Sequence, residues 1–151
     1  MKIFNSTAEL RLELDSQRRN GLCIGLVPTM GNLHAGHLRL VEEALRNCDF
    51  VVSTIFVNPL QFSPDEDLQA YPRTLKEDQS KLISAGCHCV LVPSVDELFG
   101  SNLESQTTLH IPSISNMHCG KRRSGHFDGV ATVAVSYTHL RAHETRHDLV
   151  C

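Results

Sequence analysis

Residues 22–57 read LCIGLVPTMGNLHAGHLRLVEEALRNCDFVVSTIFV, and this stretch decides the fold class. The apolar run at 22–27 predicts a short strand that is buried on both faces and ends at Pro28. Apolar side chains then recur at helical spacing from His37 to about Asn47, and a β-branched run at 50–57 predicts a second strand. Strand, helix and strand in this order form a βαβ unit with parallel strands, so we predict an α/β fold.

The flanking segments continue the alternation of helices and strands. Residues 6–9 have the spacing of a capping box, which predicts a helix from Thr7 to about Arg19. A second capping box at 74–77 predicts a helix that ends at Ala85-Gly86. We further predict a strand at 88–92, a short helix at 95–99, a short strand at 107–111 and a helix that begins near Phe127.

The composition is that of one globular domain. The chain has 151 residues, of which 41% are hydrophobic, and a formal net charge of −3. The only basic run, at 121–123, is too short for a nucleic-acid footprint, so we expect no nucleic-acid partner. No apolar stretch approaches the ~20 residues that span a bilayer, and residues 1–5 lack the features of a signal peptide. We therefore expect a cytoplasmic protein with no membrane partner.

The six cysteines are expected to be reduced in that compartment. Cys23 and Cys48 fall in or beside apolar runs, where a small buried hydrophobe is the favoured interpretation. The triplet Cys87-His88-Cys89 offers zinc ligands as the alternative. Strand alternation would place Cys87 and Cys89 on one face and His88 on the other, and no second ligand pair follows, so we expect no metal site.

The turn between the first predicted strand and its helix carries the chemistry. Residues 28–37 read Pro-Thr-Met-Gly-Asn-Leu-His-Ala-Gly-His. A helix N-terminus offers unpaired N–H groups and partial positive charge to a phosphate. Gly31 permits a tight turn, Gly36 permits close approach of a ligand, and His34 and His37 can donate N–H groups to phosphoryl oxygens. The alternative is a pair of surface histidines in a glycine-rich turn.

Residues 27–37 also resemble the signature of the pantothenate synthetases, which belong to the HxGH-bearing nucleotidyltransferases. Segments 53–62, 67–75, 93–95 and 125–130 are similar to further motifs of that family, in the same order. The resemblance covers essentially residues 1–135. It implies a Rossmann-like parallel sheet of the HxGH nucleotidyltransferase type.

The resemblance implies an ATP-dependent condensation of (R)-pantoate with β-alanine to give pantothenate, AMP and pyrophosphate. The pantoate carboxylate would attack the α-phosphorus of ATP, and the β-alanine amine would then displace AMP from the pantoyl adenylate. ATP would act as its Mg²⁺ complex, and no prosthetic group is expected. Because no protein nucleophile is required, positioning and charge stabilisation would carry the rate.

The family pattern also implies roles for individual residues. His37 would donate a proton to the leaving phosphate, with His34 beside it. Gln61 would contact pantoate and later β-alanine. Asn58, at the end of the second predicted strand, is the other substrate-binding candidate, or else a turn former before Pro59. The expected ATP contacts are Met30, Gly31, Asn32, Leu33, His34, Ala35, Gly36 and His37.

The chain departs from the family pattern in two places. Cys119 replaces a glutamate and Ser124 a proline, so Arg123 is either an anion contact or a solvated loop residue. The later Gly-Glu-Lys-Asp and Ser-Ser-Arg segments and the C-terminal domain have no counterpart here. We therefore expect residues 1–135 to be an incomplete N-terminal nucleotide-binding domain, inactive alone, whose full-length relatives are homodimers. The alternatives are another HxGH nucleotidyltransferase and a non-catalytic nucleotide-binding fragment.

Residues 136–151 differ in character from the rest. Val135 to Thr145 resemble the translation of a transposon-based sequencing adapter, and Asp148 to Cys151 resemble its next constant stretch. We therefore expect residues 136–151 to be a non-native tail. A histidine-rich metal-binding tail is the other interpretation.

Overall fold

A computed structural model describes residues 1–63, 66–103, 107–112, 123 and 125–138. Four parallel strands form one sheet in the order β1-β4-β3-β2, which confirms the predicted α/β fold. The strands are β1 (Lys2–Phe4), β2 (Ile24–Thr29), β3 (Phe50–Ile55) and β4 (Cys89–Leu91). The helices are α1 (Thr7–Arg19), α2 (Ala35–Asn47), α3 (Leu75–Ser84), α4 (Val95–Phe99) and α5 (His126–Thr138), with a 3₁₀ turn at Pro59–Gln61.

The sheet lies between two layers of helices. All six residues of β3 are buried, as expected for a strand covered on both faces. On one face, Leu10 of α1, Phe99 of α4 and Val133 of α5 pack in one cluster. On the other face, Val41 of α2 and Leu82 of α3 pack in a second cluster. The predicted βαβ unit β2-α2-β3 is therefore confirmed, with its crossover helix on the second face.

The prediction for β2 was wrong in two respects. The strand runs on through Pro28, whose register partner is Thr54, and its residues alternate between buried and accessible. Leu26 is 40% exposed. The reason is that β2 is at the edge of the described sheet, where a proline that donates no ladder hydrogen bond is tolerated.

Two predictions about strands also need correction. Strand β1 was not predicted, because its three residues are too few to show a pattern, yet it pairs with β4 from Lys2 to Phe4. The predicted strand at 107–111 is absent from the described residues. There the Leu109 N–H donates to the hydroxyl of Thr132 on α5, rather than to a neighbouring strand, at 3.0 Å.

Neither predicted capping box forms. Ser6 and Thr74 are the N-cap residues of α1 and α3, but neither side chain caps its helix. Instead, the N–H and hydroxyl of Thr7 both donate to the carboxylate of Glu97 on α4, at 2.7 and 2.6 Å. The Thr74 hydroxyl donates to Asp78 at 3.0 Å. A tertiary partner therefore replaces the capping box at α1, whereas at α3 the partner of Thr74 is a side chain within the helix itself.

The Cys87-His88-Cys89 triplet is part of the core. Cys89 packs on the α1 side of the sheet and Cys87 on the α2 side, so the prediction that they share a face was wrong, because β4 begins only at Cys89. Burial raises the pKa of the Cys89 thiol to about 12. His88 accepts the Val51 N–H at Nδ1 and stacks on Phe50. Within the described ranges, no three His, Cys, Asp or Glu side chains form a metal-binding group.

Helix α5 passes through the predicted boundary at residue 135. Tyr137 is 3% exposed and belongs to the core on the α1 side. The predictions about Cys119, Ser124 and residues 139–151 lie outside the described residues. Of the helices that are described, none is long and apolar enough to cross a membrane.

Candidate active site

The turn from β2 into α2 has an unusual backbone. Gly31 and Asn32 have φ angles of +83° and +51°, so two successive residues adopt the left-handed conformation. Glycine adopts it freely, and asparagine is one of the few other residues that tolerate it. This geometry turns the chain away from the carboxyl end of β2 and into the first turn of α2.

A buried carboxylate on α3 holds this turn in place. Asp78, which is 0% exposed, accepts the N–H of Asn32 at 2.9 Å and that of Leu33 at 2.7 Å. Lys81, one turn further along α3, donates to the Leu33 carbonyl at 2.7 Å. Asp78 therefore binds two backbone N–H donors of the turn, and Lys81 binds one backbone carbonyl acceptor. This pair was not predicted from the sequence, because an acid in the first turn of a helix ordinarily needs no further partner than the helix dipole.

The two histidines of the motif lie together at the N-terminus of α2. His34 is the N-cap residue, and its Nδ1 accepts the Gly36 N–H at 3.0 Å. His37 lies in the first turn, and its Nδ1 accepts the His34 N–H at 3.3 Å. The ring centroids are 4.1 Å apart. Because each Nδ1 accepts a hydrogen bond, a neutral ring carries its proton on Nε2, so both rings can act as N–H donors to a ligand.

The environment of His37 favours its neutral form. Burial lowers the pKa of the imidazole below its ordinary value, and the neighbouring His34 lowers it further. Asp78 acts in the opposite direction. His37 is therefore a neutral hydrogen-bond donor at neutral pH until an anion approaches it.

Gly36 has a specific local role. A β-carbon at this position would lie 2.8 Å from Cε1 of the His34 ring. The space that glycine leaves is therefore occupied by the folded-back imidazole. Two further residues of the motif differ in exposure. Leu33 is buried in the core, whereas Ala35 is exposed as the first residue of α2.

A second group of polar residues surrounds the 3₁₀ turn after β3. Asn58 is fully buried; its Nδ2 donates to Gln61 Oε1 at 2.9 Å and to the Gly129 carbonyl at 3.0 Å. Its Oδ1 accepts the Leu60 N–H at 3.1 Å. These bonds define the orientation of both amides, and the amide group that Gln61 can still offer to a ligand is its Nε2 donor. Asn58 thus orients the side-chain amide of Gln61.

Helix α5 closes over this turn. A β-carbon at Gly129 would clash with the Leu60 carbonyl oxygen, so only glycine allows the approach. At the start of the helix, Nδ1 of His126 lies 2.9 Å from the Gln61 carbonyl. Neighbouring Arg123 donates to the Glu66 carboxylate at 2.6 Å. Of the two predicted roles for Arg123, anion contact and solvated loop residue, the structure shows a contact with an anionic side chain of the same chain. This arginine is also what most lowers the pKa of Glu66.

These elements enclose a cavity of about 280 Å³. One wall is apolar and the other carries the polar ends of Gln61 and His37. This cavity lies at the carboxyl ends of β2 and β3, where open α/β sheets bind ligands. Its lining includes Met30, His37, Phe56, Gln61, Tyr71 and Val133.

A larger cavity, of about 620 Å³, lies elsewhere, between α1, β2 and the end of α5. Its lining is mainly aliphatic and includes Leu10, Leu22 and Leu26. Neither motif histidine nor either amide reaches it. The smaller cavity, which His37 and Gln61 line, is therefore the candidate site.

A parallel sheet with a histidine-capped helix at the carboxyl end of β2 defines a Rossmann-like domain of the HxGH type. The family model described as "Pantoate-beta-alanine ligase" matches residues 2–144. The chain belongs to that family.

Named relatives agree with this assignment. The pantothenate synthetase of Alteromonas mediterranea is 54% identical over 133 residues, which cover 88% of this chain and 47% of that protein. The Pseudomonas aeruginosa enzyme of the same name is 52% identical over the same share of each chain. The chain thus spans about half the length of the relatives it matches.

Solved structures share the fold. Pantothenate synthetase from Thermus thermophilus has a TM-score of 0.83 at 41% identity, with 93% of this chain and 49% of that chain covered. Pantoate-beta-alanine ligase from Francisella tularensis, complexed with beta-gamma ATP and beta-alanine, has a TM-score of 0.84 at 33% identity, with 93% and 53% covered.

Proposed function

We propose that this chain carries the ATP- and pantoate-binding part of an enzyme that condenses (R)-pantoate with β-alanine through a pantoyl adenylate. One observation carries the proposal: His37 lies in the first turn of α2 and also lines the 280 Å³ cavity. A phosphate held at the helix N-terminus and an acid held in the cavity would therefore meet at His37. Membership of the family supports the same reaction.

The phosphates of ATP would lie against the N-terminus of α2. The Nε2–H groups of His34 and His37 and the helix dipole all favour an anion there. The N–H groups of Asn32 and Leu33 bind Asp78 instead, so these two residues would shape the ATP site more than contact it. Mg²⁺ enters the proposal as the counter-ion of the ATP phosphates. The ATP in the Francisella relative supports a nucleotide in this family.

Pantoate fits the cavity in size and in chemistry. A volume of about 280 Å³ is too small for a nucleotide but sufficient for a small branched acid. The two methyl groups of pantoate would pack on Phe56 and Val133. The Nε2 donor of Gln61, oriented by Asn58, would bind an oxygen of the substrate. This arrangement would direct the carboxylate towards His37.

The reaction would then need no protein nucleophile. A carboxylate oxygen of pantoate attacks the α-phosphorus, and pyrophosphate leaves. The Nε2–H groups of His37 and His34 donate to the phosphoryl oxygens as their charge grows, and the ATP charge favours protonation of His37. In the second step the β-alanine amine attacks the acyl carbon of the adenylate, and AMP leaves with the electron pair of the broken bond.

We further propose that the complete condensation, and the homodimer, need sequence beyond these 151 residues. The relatives named pantothenate synthetase are about twice as long. A chain that binds ATP and pantoate should therefore yield no pantothenate when β-alanine is added. Production of pantothenate by the purified chain would disprove this part of the proposal.

Isothermal titration of the purified chain with MgATP and with (R)-pantoate tests the binding site. We expect His37→Ala to weaken both ligands about tenfold, and Gln61→Ala to weaken pantoate alone, since each change removes a hydrogen bond to a charged group. His88→Ala, at the amino end of β4, is the matched histidine control and should change neither affinity. Pantoate affinity that is equal in the wild type and in Gln61→Ala would count against the cavity as its site.

A further inference from the structure

Two cysteines distant in sequence lie in contact at the end of the sheet opposite the site. The Sγ atoms of Cys23 and Cys48 are 3.3 Å apart, although 25 positions separate them along the chain. Cys23 immediately precedes β2, and Cys48 is the C-cap residue of α2. Both are free thiols, with Cys23 exposed and Cys48 partly exposed. Neither thiol is buried in the core, so the expectation of a small buried hydrophobe is wrong for both.

The backbone around the two thiols is fixed by hydrogen bonds. The Cys23 carbonyl accepts the N–H groups of Asp49 and Phe50, both at 3.0 Å. The Cys23 N–H donates to the Asp49 carboxylate at 2.9 Å, and the Cys48 N–H donates to the Ala44 carbonyl at 2.8 Å. Cys23 is thus bound on both sides to the residues that follow Cys48. The two sulfur atoms are therefore held near each other by the fold.

Gly25 of β2 provides room for the sulfur of Cys48. A β-carbon on Gly25 would lie 3.2 Å from Cys48 Sγ, so the absence of a side chain in β2 accommodates this thiol. The other two described cysteines differ. Cys87 and Cys89 are buried, and burial raises the pKa of each thiol.

We propose that Cys23 and Cys48 are a modification site, a dithiol that low-molecular-weight disulfides such as oxidised glutathione convert reversibly into an intramolecular disulfide. The bond would join the end of α2 to the start of β2. It would act as a staple far from the ligand site, because α2 has 13 residues and a helix rises about 1.5 Å per residue. The proposal is independent of the proposed function.

The exchange takes place in two balanced steps. Exposed Cys23 loses its proton, and its thiolate attacks the oxidised glutathione, forming a mixed disulfide and releasing one glutathione thiolate. Cys48 then loses its proton and attacks Cys23 Sγ, which forms the internal disulfide and releases the second glutathione thiolate. The hydrogen bond between the two thiols raises the pKa of Cys48, so Cys48 retains its proton, and the greater exposure of Cys23 favours it as the thiol that reacts first. The two electrons lost by the protein reduce one oxidised glutathione to two thiols.

Incubation of the folded chain with oxidised glutathione, followed by alkylation and trypsin digestion, tests the proposal. Before alkylation we expect a chain about 2 Da lighter, because two thiol hydrogens are lost. After trypsin digestion, the disulfide should join peptides 20–39 and 47–73, each of which contains one cysteine. The same oxidation in denaturant is the control, since an unfolded chain with six cysteines should give mixed pairings. A folded chain with the same mixture of pairings as the denatured one would overturn the proposal.

A second measurement uses stability and ligand binding together. Oxidation should raise the melting temperature by on the order of 10 °C, since the bond closes a loop of about 25 residues. Cys23→Ser should abolish both the joined peptide and the shift, and a reducing agent should reverse the shift in the wild type. Oxidation should leave the ATP affinity unchanged. A joined peptide without a higher melting temperature would refute the stapling effect, whereas loss of ATP binding in reduced protein would refute only the proposed function.

Discussion

The carboxylate of Asp78 accepts the backbone N–H of Leu33 at 2.7 Å, 45 positions away in sequence. Asp78 is fully buried and also binds Asn32, so one side chain of α3 holds both residues that precede His34. Its two N–H partners belong to a turn in which Gly31 and Asn32 are left-handed. The turn that presents the histidines is thus maintained from another helix.

Replacing the carboxylate of Asp78 should loosen this turn. Asp78→Asn removes the charge and brings an amide NH₂ close to backbone donors, so we expect a loss of about 3 kcal/mol in the free energy of unfolding. We also expect ATP affinity to fall about tenfold, because the turn no longer positions His34. Denaturant unfolding and titration calorimetry measure the two effects.

The control for Asp78→Asn is a solvent-exposed carboxylate. Glu42→Gln removes a surface ion pair with Arg39 and should cost at most about 0.5 kcal/mol. Equal losses of stability in the two variants would show that Asp78 has no special part in the turn.

The pKa of His37 gives a second prediction. Because burial lowers this pKa in the folded chain, the unfolded state binds the proton first as the pH falls below about 6.5. The stability that depends on neutral His37 is therefore present above that pH and lost between it and the folded pKa. His37→Gln should flatten the dependence of stability on pH in this range, measured by denaturant unfolding. A dependence that is unchanged in His37→Gln would contradict the prediction.

ATP should shift this same titration. The phosphate charge favours the protonated imidazole, so binding should take up a proton and the affinity should rise as the pH falls through the free pKa of His37. Calorimetry in buffers of different ionisation enthalpy measures the proton uptake. Proton release on binding, or uptake that persists in His37→Gln, would contradict this assignment.

Asn58 provides a test of how Gln61 is oriented. In Asn58→Asp the new oxygen would face the Gln61 Oε1 and the Gly129 carbonyl without a hydrogen to offer either. We expect stability to fall by about 2–4 kcal/mol and pantoate affinity to fall with it, because buried acceptors are left unpaired. Asn102→Asp is the surface control and should leave pantoate affinity unchanged. If folded Asn58→Asp binds pantoate as tightly as the wild type, Asn58 does not orient Gln61 for pantoate binding.

The approach of α5 to the 3₁₀ turn depends on Gly129. Gly129→Ala would drive a β-carbon into the Leu60 carbonyl oxygen, so the helix must move. We expect a cost of about 1–3 kcal/mol and weaker pantoate binding, since α5 forms one wall of the cavity. Ser136→Ala places the same side chain on α5 at a half-buried position and should be nearly neutral. An equal loss of pantoate affinity in Gly129→Ala and Ser136→Ala would contradict this prediction.

The strongest periodic segments could be predicted from sequence. The β2-α2-β3 unit and helices α1 and α3 follow from apolar spacing, because each buries one face or both against the sheet. Strand β1 and the false strand at 107–111 show the limit of that signal. Three residues are too short for a period, and alternation alone cannot tell a strand from an extended segment that binds a helix.

The site was predictable only where its residues are contiguous. His34 and His37 share one helix end, so their proximity follows from the motif. The links from Asp78 to Leu33 and from Asn58 to Gly129 join segments 45 and 71 positions apart. No local pattern encodes such contacts, because they depend on how α3 and α5 pack on the sheet.

The bond between Asn58 and Gly129 sets an order of events during synthesis. The ribosome releases the βαβ unit long before α5, and local contacts of that kind form early. Until residue 129 has emerged, the amide of Asn58 has no carbonyl to bind and the cavity has no second wall. The turn that carries His34 and His37 can therefore form on a nascent chain whose cavity still lacks the wall made by α5, and the two parts of the candidate site mature at different times.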